Sequence, residues 1–328
     1  MRARITGTGG YVPSQVRTNA EIAGQLGISE DWIVERTGIR ARRIAAPDET
    51  TSQMAHKASV LALESAGMAP EELGLIIVAT VTPDSPTPST AARLQWSLGA
   101  VNAFAFDISA ACSGALTGIT IAEQFIRTGV VKHALVVGAE TLSRFIDWTD
   151  RDTSVLFGDG AGAIVLSASE DDSGPGILAR HMHTDGTLVP ILGIPAPGSA
   201  ISARDPRVAA EKLDTIHMQG REVFKSAVRT MTASATELIA EAGIPIEHVE
   251  HVLGHQANIR IIQSVMGRIG LPVERCHINL DRYGNTSAAS IPLLIDEVAR
   301  KGAFHPGDHL LCLAAGAGLV WGGILLKW

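Results

Sequence analysis

The sequence predicts an α/β layered fold made from a duplicated unit, with halves near 1–170 and 171–328. Three observations predict it. Apolar strand-like runs alternate with helix-like runs along the chain. The order of these elements is the same in both halves. Short stretches also match between the halves. Residues 66–77 read AGMAPEELGLII and residues 242–253 read AGIPIEHVEHVL. Each closes a helix with Ala-Gly, turns, and enters an apolar strand. Likewise FDISAACSGA near Asp107 meets LDRYGNTSAA near Asp281.

The strand candidates are 75–80, 103–108, 134–137, 163–166, 249–253 and 309–314. The helix candidates are Thr51–Ala66, 113–128, Gly220–Ala242, Ile259–Ile269 and 287–301. The uncharged run 310–326 carries glycines and is short for a membrane span. It reads as two buried strands about a Gly-rich turn. The chain has 328 residues, 46% of them hydrophobic and 19% charged, which is a globular composition able to bury a sizeable core. A net charge of -7 argues against a general nucleic-acid partner. The N-terminal stretch has no apolar signal-peptide core, and no membrane association is expected.

The three cysteines, Cys112, Cys276 and Cys312, cannot all pair, and none forms a CxxC. That pattern argues against a disulfide framework or a structural zinc site and suits a reducing cytoplasm. Gly7-Thr8-Gly9-Gly10 runs into Val12-Pro13, and Gly158 to Gly162 leads into a strand. Neither has the strand–glycines–helix order of a dinucleotide fingerprint. Both read as places of close backbone packing. His248, His251 and His255 lie near one another in sequence, but no carboxylate or thiol completes a ligand set, so no metal is expected.

Cys112 follows a strand and precedes a helix, within Ser-Ala-Ala-Cys-Ser-Gly. A helix N-terminus stabilises a thiolate, and small neighbours let a substrate approach. A buried, inert thiol is the competing reading, and it suits Cys276 and Cys312. His255 closes another strand where a helix begins; a satisfied hydrogen-bonding histidine is the alternative. Asn285, in Tyr-Gly-Asn-Thr-Ser, reads as a turn residue or as a donor to a developing oxyanion. Equivalent loops of two related halves meet across a pseudo-twofold axis, so the three residues can converge.

Taken together, GTGGYVPSQVRTN, DWIVERTGIRARRIA, DISAACSG, FGDGAGA, GHQANIRI, YGNTSAASIP and GAGLVWG follow a familiar order and spacing. The chain resembles the β-ketoacyl-acyl carrier protein synthase III enzymes of the thiolase superfamily almost end to end. The resemblance implies a thiolase-like five-layered αβαβα fold and a homodimer. It implies condensation of an acyl-CoA with malonyl-acyl carrier protein, initiating fatty-acid or polyketide-type synthesis without a cofactor. Cys112 would accept the acyl group, while His255 and Asn285 serve decarboxylation. Backbone N–H groups of Cys112 and Ala317, in the Gly316 to Gly318 loop, would hold the oxyanion. Contacts to the pantetheine and coenzyme A map onto Trp32, Arg36, Thr37, Arg151, Asn258 and Arg260. Carrier docking maps onto Gln256 and Arg260. Thr87, Ala115 and Leu142 fall at the acyl pocket.

The chain also departs from the family pattern. Gly254 replaces a common proline, Ser113-Gly114-Ala115 replaces Ala-Gly-Phe, and Asp152 replaces a common glycine after Arg151. Thr87 stands where some members carry a phenylalanine that closes the pocket across the dimer, so Thr87 and Ala115 predict room for a primer longer than acetyl. The segment 195–212 is expected to form a lid over the channel. Other superfamily patterns fit less well. Asn285 occupies the place of a second histidine, Ala314 that of a second cysteine, and residues 79–82 offer no glutamate. Two further readings remain: transfer of the acyl group to an alcohol or amine, or priming of a specialised pathway; and a non-catalytic dimer partner.

Overall fold

A computed structural model describes residues 2–171 and 174–328. Two sheets carry the fold. The first holds β1 (Arg2–Tyr11), β2 (Leu75–Ala79), β3 (Phe104–Ile108), β4 (His133–Glu140) and β5 (Gly160–Ser169), in the order β1-β5-β4-β2-β3. The second holds β6 (Gly176–Thr184), β7 (His251–Gly254), β8 (His309–Gly316) and β9 (Val320–Lys327), in the order β6-β9-β8-β7. The orders match strand for strand. The second sheet lacks a full counterpart of β3 and keeps only a parallel bridge from Val252 to Cys276.

The main helices are α1 (Asn19–Leu26), α2 (Glu30–Thr37), α3 (Thr51–Ala66), α4 (Thr90–Leu98), α5 (Gly114–Arg127), α6 (Gly220–Ala242), α7 (Ile259–Ile269) and α8 (Ser290–Arg300). They complete five layers. α3 and α4 cover the outer face of the first sheet, α5 and α8 lie between the sheets, and α6 packs with α7 on the outer face of the second. Leu116, Ile119 and Ile126 of α5 and Leu294, Ile295 and Val298 of α8 form the middle core with Ile77, Val136 and Leu253. Burial on both faces explains why β2, β4 and β8 read as continuous apolar runs rather than alternating ones.

The glycines dismissed as a dinucleotide motif do pack closely. A Cβ on Gly9 would stand 2.1 Å from the Ala58 carbonyl oxygen, so α3 lies directly on β1. On β4, a Cβ on Gly138 would meet the Ala288 carbonyl at 2.1 Å. That contact seats the turn before α8 against the first sheet.

The expected elements hold, with shifted ends. β5 runs to ten residues where four were expected. The helix expected over 287–301 opens as a 3-10 turn, Ser287–Ala289, before α8. β1 and β6 were not among the expected strands. β6 carries Arg180, His181 and His183 at the sheet edge, so its hydrophobic pattern is weak. The FDISAACSGA–LDRYGNTSAA pairing is out by two residues. The 3-10 turn Ala111–Ser113 before α5 corresponds to Ser287–Ala289 before α8, and the first residues, Ala111 and Ser287, have φ of 45° and 48°. Ala111 therefore matches Ser287, not Asn285.

Candidate active site

Cys112, His255 and Asn285 line one cavity of about 630 Å³. Three different loops deliver them. Cys112 is the middle residue of the 3-10 turn before α5, and the left-handed backbone of Ala111 lifts it out of the preceding loop. His255 follows the last residue of β7, anchored by its N–H to the Leu313 carbonyl at 2.8 Å. Asn285 is clamped on both sides of its backbone: its N–H donates to the Leu156 carbonyl at 2.8 Å, and its carbonyl accepts from the Gly158 N–H at 3.0 Å.

Polarity divides the three roles. His255 is buried, and burial alone pushes its pKa down to about 4, so the imidazole is neutral at physiological pH. Its Nδ1 lies 2.7 Å from the Ser290 Oγ at the start of α8. Its Nε2 has no hydrogen-bond partner among the described residues although it is buried. With Ser290 donating to Nδ1, the ring proton sits on Nε2 and is free to be given to a ligand. The Asn285 Oδ1 accepts from the Ser287 N–H at 2.8 Å, which leaves its amide N–H₂ as a second free donor.

The thiol sets a puzzle. Burial pushes Cys112 up to about 12, against the lowering expected from a helix N-terminus. The Ser287 hydroxyl opposes this rise, and the Glu140 carboxyl adds to it. A Cβ on Gly316 would stand 2.6 Å from the Cys112 nitrogen, so the strand end before Ala317 comes up close against the Cys112 backbone. The β8–β9 turn thus lies directly over the Cys112 backbone.

All six residues expected at the coenzyme A end line the same cavity. Trp32 carries the Arg36 guanidinium 4.5 Å and the Arg151 guanidinium 5.6 Å from its ring centroid. Asn258 caps α7, accepting from the Arg260 N–H at 2.8 Å, and its amide donates to the Arg36 carbonyl at 2.9 Å. It thereby ties α2 to α7. Thr37 is buried, with its hydroxyl given to the Ile33 carbonyl.

Gln256 is a correction. It is fully buried, donates to the Gly254 carbonyl at 2.8 Å and accepts from the Asn279 and Leu280 N–H groups. It braces the site from within and offers no surface to a carrier protein. None of Thr87, Ala115 or Leu142 lines the cavity. Thr87 is exposed in the loop before α4. Ala115 and Leu142 are buried, Leu142 in a cluster with Phe157, Ile146 and Leu192. No residue of 195–212 lines the cavity either; Lys212 holds the end of that segment to Asp147 at 2.7 Å.

His248, His251 and His255 do not converge. His251 bonds instead to His277 and Asp308. Among the described residues, His181, His183 and Glu237 bring possible ligand atoms within 4.8 Å of one another, and none of the three lines the cavity.

The sequence reading missed Arg221, Phe224 and Lys225 of α6, which line the cavity together with residues of α2 and α7. Arg221 and Lys225 bracket Glu222, which pairs with Lys225 at 3.0 Å, so the charge pattern at the start of that long helix gave little signal. With Arg36, Arg151 and Arg260 they make a cationic mouth around an apolar channel containing Leu192, Met218 and Met231. Such a site takes a long thioester with an anionic far end.

Comparison with known proteins agrees with this geometry. Residues 106–186 match the family described as 3-oxoacyl-[acyl-carrier-protein (ACP)] synthase III, and residues 239–328 match its C-terminal family. The chain is 48% identical to the beta-ketoacyl-[acyl-carrier-protein] synthase III of Caldanaerobacter subterraneus subsp. tengcongensis, covering 99% of this chain and 98% of that one. It superposes on the crystal structure of 3-oxoacyl-[acyl-carrier-protein] synthase III from Aquifex aeolicus VF5 with a TM-score of 0.92 and 44% identity, over 99% and 100% of the two chains. The priming beta-ketosynthase from the R1128 polyketide biosynthetic pathway superposes with a TM-score of 0.90 and 36% identity, over 99% and 96%.

Proposed function

The chain belongs to the β-ketoacyl-acyl carrier protein synthase III family, and we propose that it performs that family's condensation with Cys112, His255 and Asn285 as the catalytic set. The observation that carries this assignment is the orphaned Nε2 of a neutral, buried His255 in one cavity with a thiol and a second free amide donor. An acyl-CoA enters along Trp32, its phosphates against the cationic mouth. The Cys112 sulfur attacks the thioester carbonyl, the Cys112 and Ala317 N–H groups hold the oxyanion, and coenzyme A leaves. Malonyl-carrier protein enters next, its acidic carrier drawn to Arg260 and its neighbours. His255 and Asn285 donate to the malonyl thioester oxygen while carbon dioxide departs. Each such donor is worth about 3 kcal/mol in the transition state. The carbanion attacks the acyl carbonyl, releasing a β-ketoacyl thioester and the Cys112 thiolate. Every charge developed falls to a residue already named, so the reading calls for no cofactor.

The homodimer belongs to the same proposal. β3 is the open edge of the first sheet, with Phe104 63% exposed, and Trp96 and Val101 nearby in sequence are 83% and 71% exposed. A second copy pairing there would cover an apolar edge that otherwise invites aggregation. Thr87 lies in the loop leading to that edge, where a partner could bring it to the acyl channel. Among the described residues no helix is long and apolar enough to cross a membrane. We place the reaction in the cytoplasm.

The test is intact-mass measurement after incubation with acyl-CoAs from C2 to C12, with Cys112→Ala in parallel. A one-acyl gain confined to the parent chain supports the reading, and preference for the longer primers supports the open pocket at Thr87 and Ala115. Acetyl preference removes the pocket argument. Absence of any adduct removes the assignment.

A further inference from the structure

We propose that His181, His183 and Glu237 form a zinc-binding site that clips the edge strand β6 to helix α6, apart from the reaction cavity. The ligand atoms are His181 Nδ1, His183 Nε2 and Glu237 Oε2. The two ring nitrogens stand 2.9 Å apart, and Oε2 lies 3.0 Å from the His183 nitrogen and 3.3 Å from the His181 nitrogen. Zinc bonds of about 2.0–2.1 Å, arranged as a tetrahedron, set ligand atoms about 3.3 Å apart. The triangle needs to open by only a few tenths of an ångström to seat the ion.

Two elements deliver these groups. His181 and His183 are two residues apart on β6, so their side chains leave the same face of the strand. β6 is the end strand of the second sheet, and the face that carries both rings is the one that α6 covers. The pairing with β9 suits this approach. Gly323 lies opposite His181, and a Cβ there would stand 2.7 Å from the Cδ1 of Leu238, the residue after Glu237. Trp321 lies opposite His183, and the two rings stack at 28° with centroids 5.7 Å apart. The glycine lets α6 come close, and the indole holds one imidazole in place.

Hydrogen bonding alone leaves the triangle unsatisfied. His181 Nε2 lies 3.3 Å from the Ser234 carbonyl, which can only accept, so that nitrogen carries the ring proton and Nδ1 presents a lone pair. With both rings neutral, His183 Nε2 brings at most one proton to the three atoms. One proton cannot bridge three acceptors, whereas a divalent cation at their centre is bonded by all three. The Ser234 contact is also what a metal-bound histidine makes with its second nitrogen, fixing the tautomer that the metal needs. Among the described residues no lysine or arginine bridges to Glu237, whose ion pairs are with these two rings.

Ligand chemistry selects the ion. Two imidazoles and a carboxylate suit zinc, whereas calcium and magnesium prefer oxygen ligands throughout. His183 and Glu237 are exposed, so the ion enters from solvent and water completes its shell. None of the three residues lines the reaction cavity, so the ion stands outside the acyl chemistry. His-Met-His on β6 is the local signal, and the carboxylate that completes it comes 54 residues after His183, beyond any short spacing rule.

The experiment is calorimetric titration of the full chain, stripped with EDTA and desalted, with zinc chloride alone. The parent, His183→Ala, Glu237→Gln and Glu237→His are compared, with thermal melting in zinc and in EDTA beside each. The parent should bind one zinc per chain and melt at a higher temperature in zinc than in EDTA. His183→Ala and Glu237→Gln should bind at least about tenfold more weakly and lose that melting shift. Glu237→His should keep both, since imidazole is also a zinc ligand. Equal affinity in the parent, His183→Ala and Glu237→Gln would put the zinc on other groups and overturn the site. So would a parent that binds no zinc up to about 0.1 mM, or one that binds calcium as tightly as zinc. The melting transition in EDTA shows whether each variant is folded; should His183→Ala fail to fold, Glu237→Gln decides alone.

Discussion

The two halves repeat one backbone and, in the proposed mechanism, divide one reaction. β7, β8 and α8 begin at 251, 309 and 290, and β2, β4 and α5 at 75, 133 and 114, a constant offset. Laying one half on the other by that offset pairs Ala79 with His255, Gly114 with Ser290, Cys112 with Ala288 and Glu140 with Gly316. In the second half a histidine and a serine meet at 2.7 Å. At the equivalent place in the first half two small residues meet, where a Cβ on Gly114 would stand 2.8 Å from the Ala79 Cβ. The first half carries Cys112, the proposed nucleophile, and a buried carboxyl, Glu140. The second carries the neutral donors, and a glycine that lets its backbone reach the nucleophile. Duplication supplied two equivalent loop sets facing each other, and side-chain divergence gave each set a different charge state.

The largest effect should come from exchanging the nucleophile across the axis. Cys112→Ala should abolish the acyl adduct and condensation. Adding Ala288→Cys should restore neither, because Ala288 is 1% exposed and its carbonyl lies against Gly138. Recovery of an adduct in the double variant would show that the two turns are chemically interchangeable, which the packing denies.

Removing the donors should cost less and split the reaction. His255→Ala or Asn285→Ala should slow condensation about 10²- to 10³-fold while the acyl adduct still forms. Loss of acylation in either variant would place it in the first half-reaction instead. Ser290→Ala leaves His255 Nδ1 unpartnered in a buried site. It should cost about tenfold in condensation, the scale of one buried hydrogen bond, with acylation unchanged.

The smallest effect is on stability and has opposite signs in the two halves. The folded pKa of His255 is about 4, below its ordinary 6.5, so its contribution is complete above 6.5 and is lost as pH falls toward 4. The folded pKa of Glu140 is about 7, above its ordinary 4.5, so its contribution is present at low pH and is lost as pH rises through 7. Glu140→Gln should therefore steepen the loss of stability between pH 7 and 5, read as a shift in urea midpoint. An unchanged slope would contradict the burial of a neutral carboxyl.

The same comparison explains what could be read early. Cys112, His255 and Asn285 stand in small-residue and turn contexts at strand ends, and such contexts announce themselves locally. Glu140 closes the apolar run HALVVGAE, where a lone carboxylate is a signal, but its meaning depends on what lies opposite. Ser287 and Ser290 look like ordinary helix-start residues. Gln256 looked like a surface contact beside Arg260, and the sharp turn after β7 put it inward. Thr87 was placed at an acyl pocket, yet on a single chain it faces outward.

The sequence by itself determined the layered class, most elements and the three residues that meet in one cavity, because periodicity and small-residue turns are local properties. Tertiary structure decided which donors are free, which acids are buried and which thiol is hard to ionise. Those depend on the dielectric and on partners more than a hundred residues away, and no local pattern encodes them.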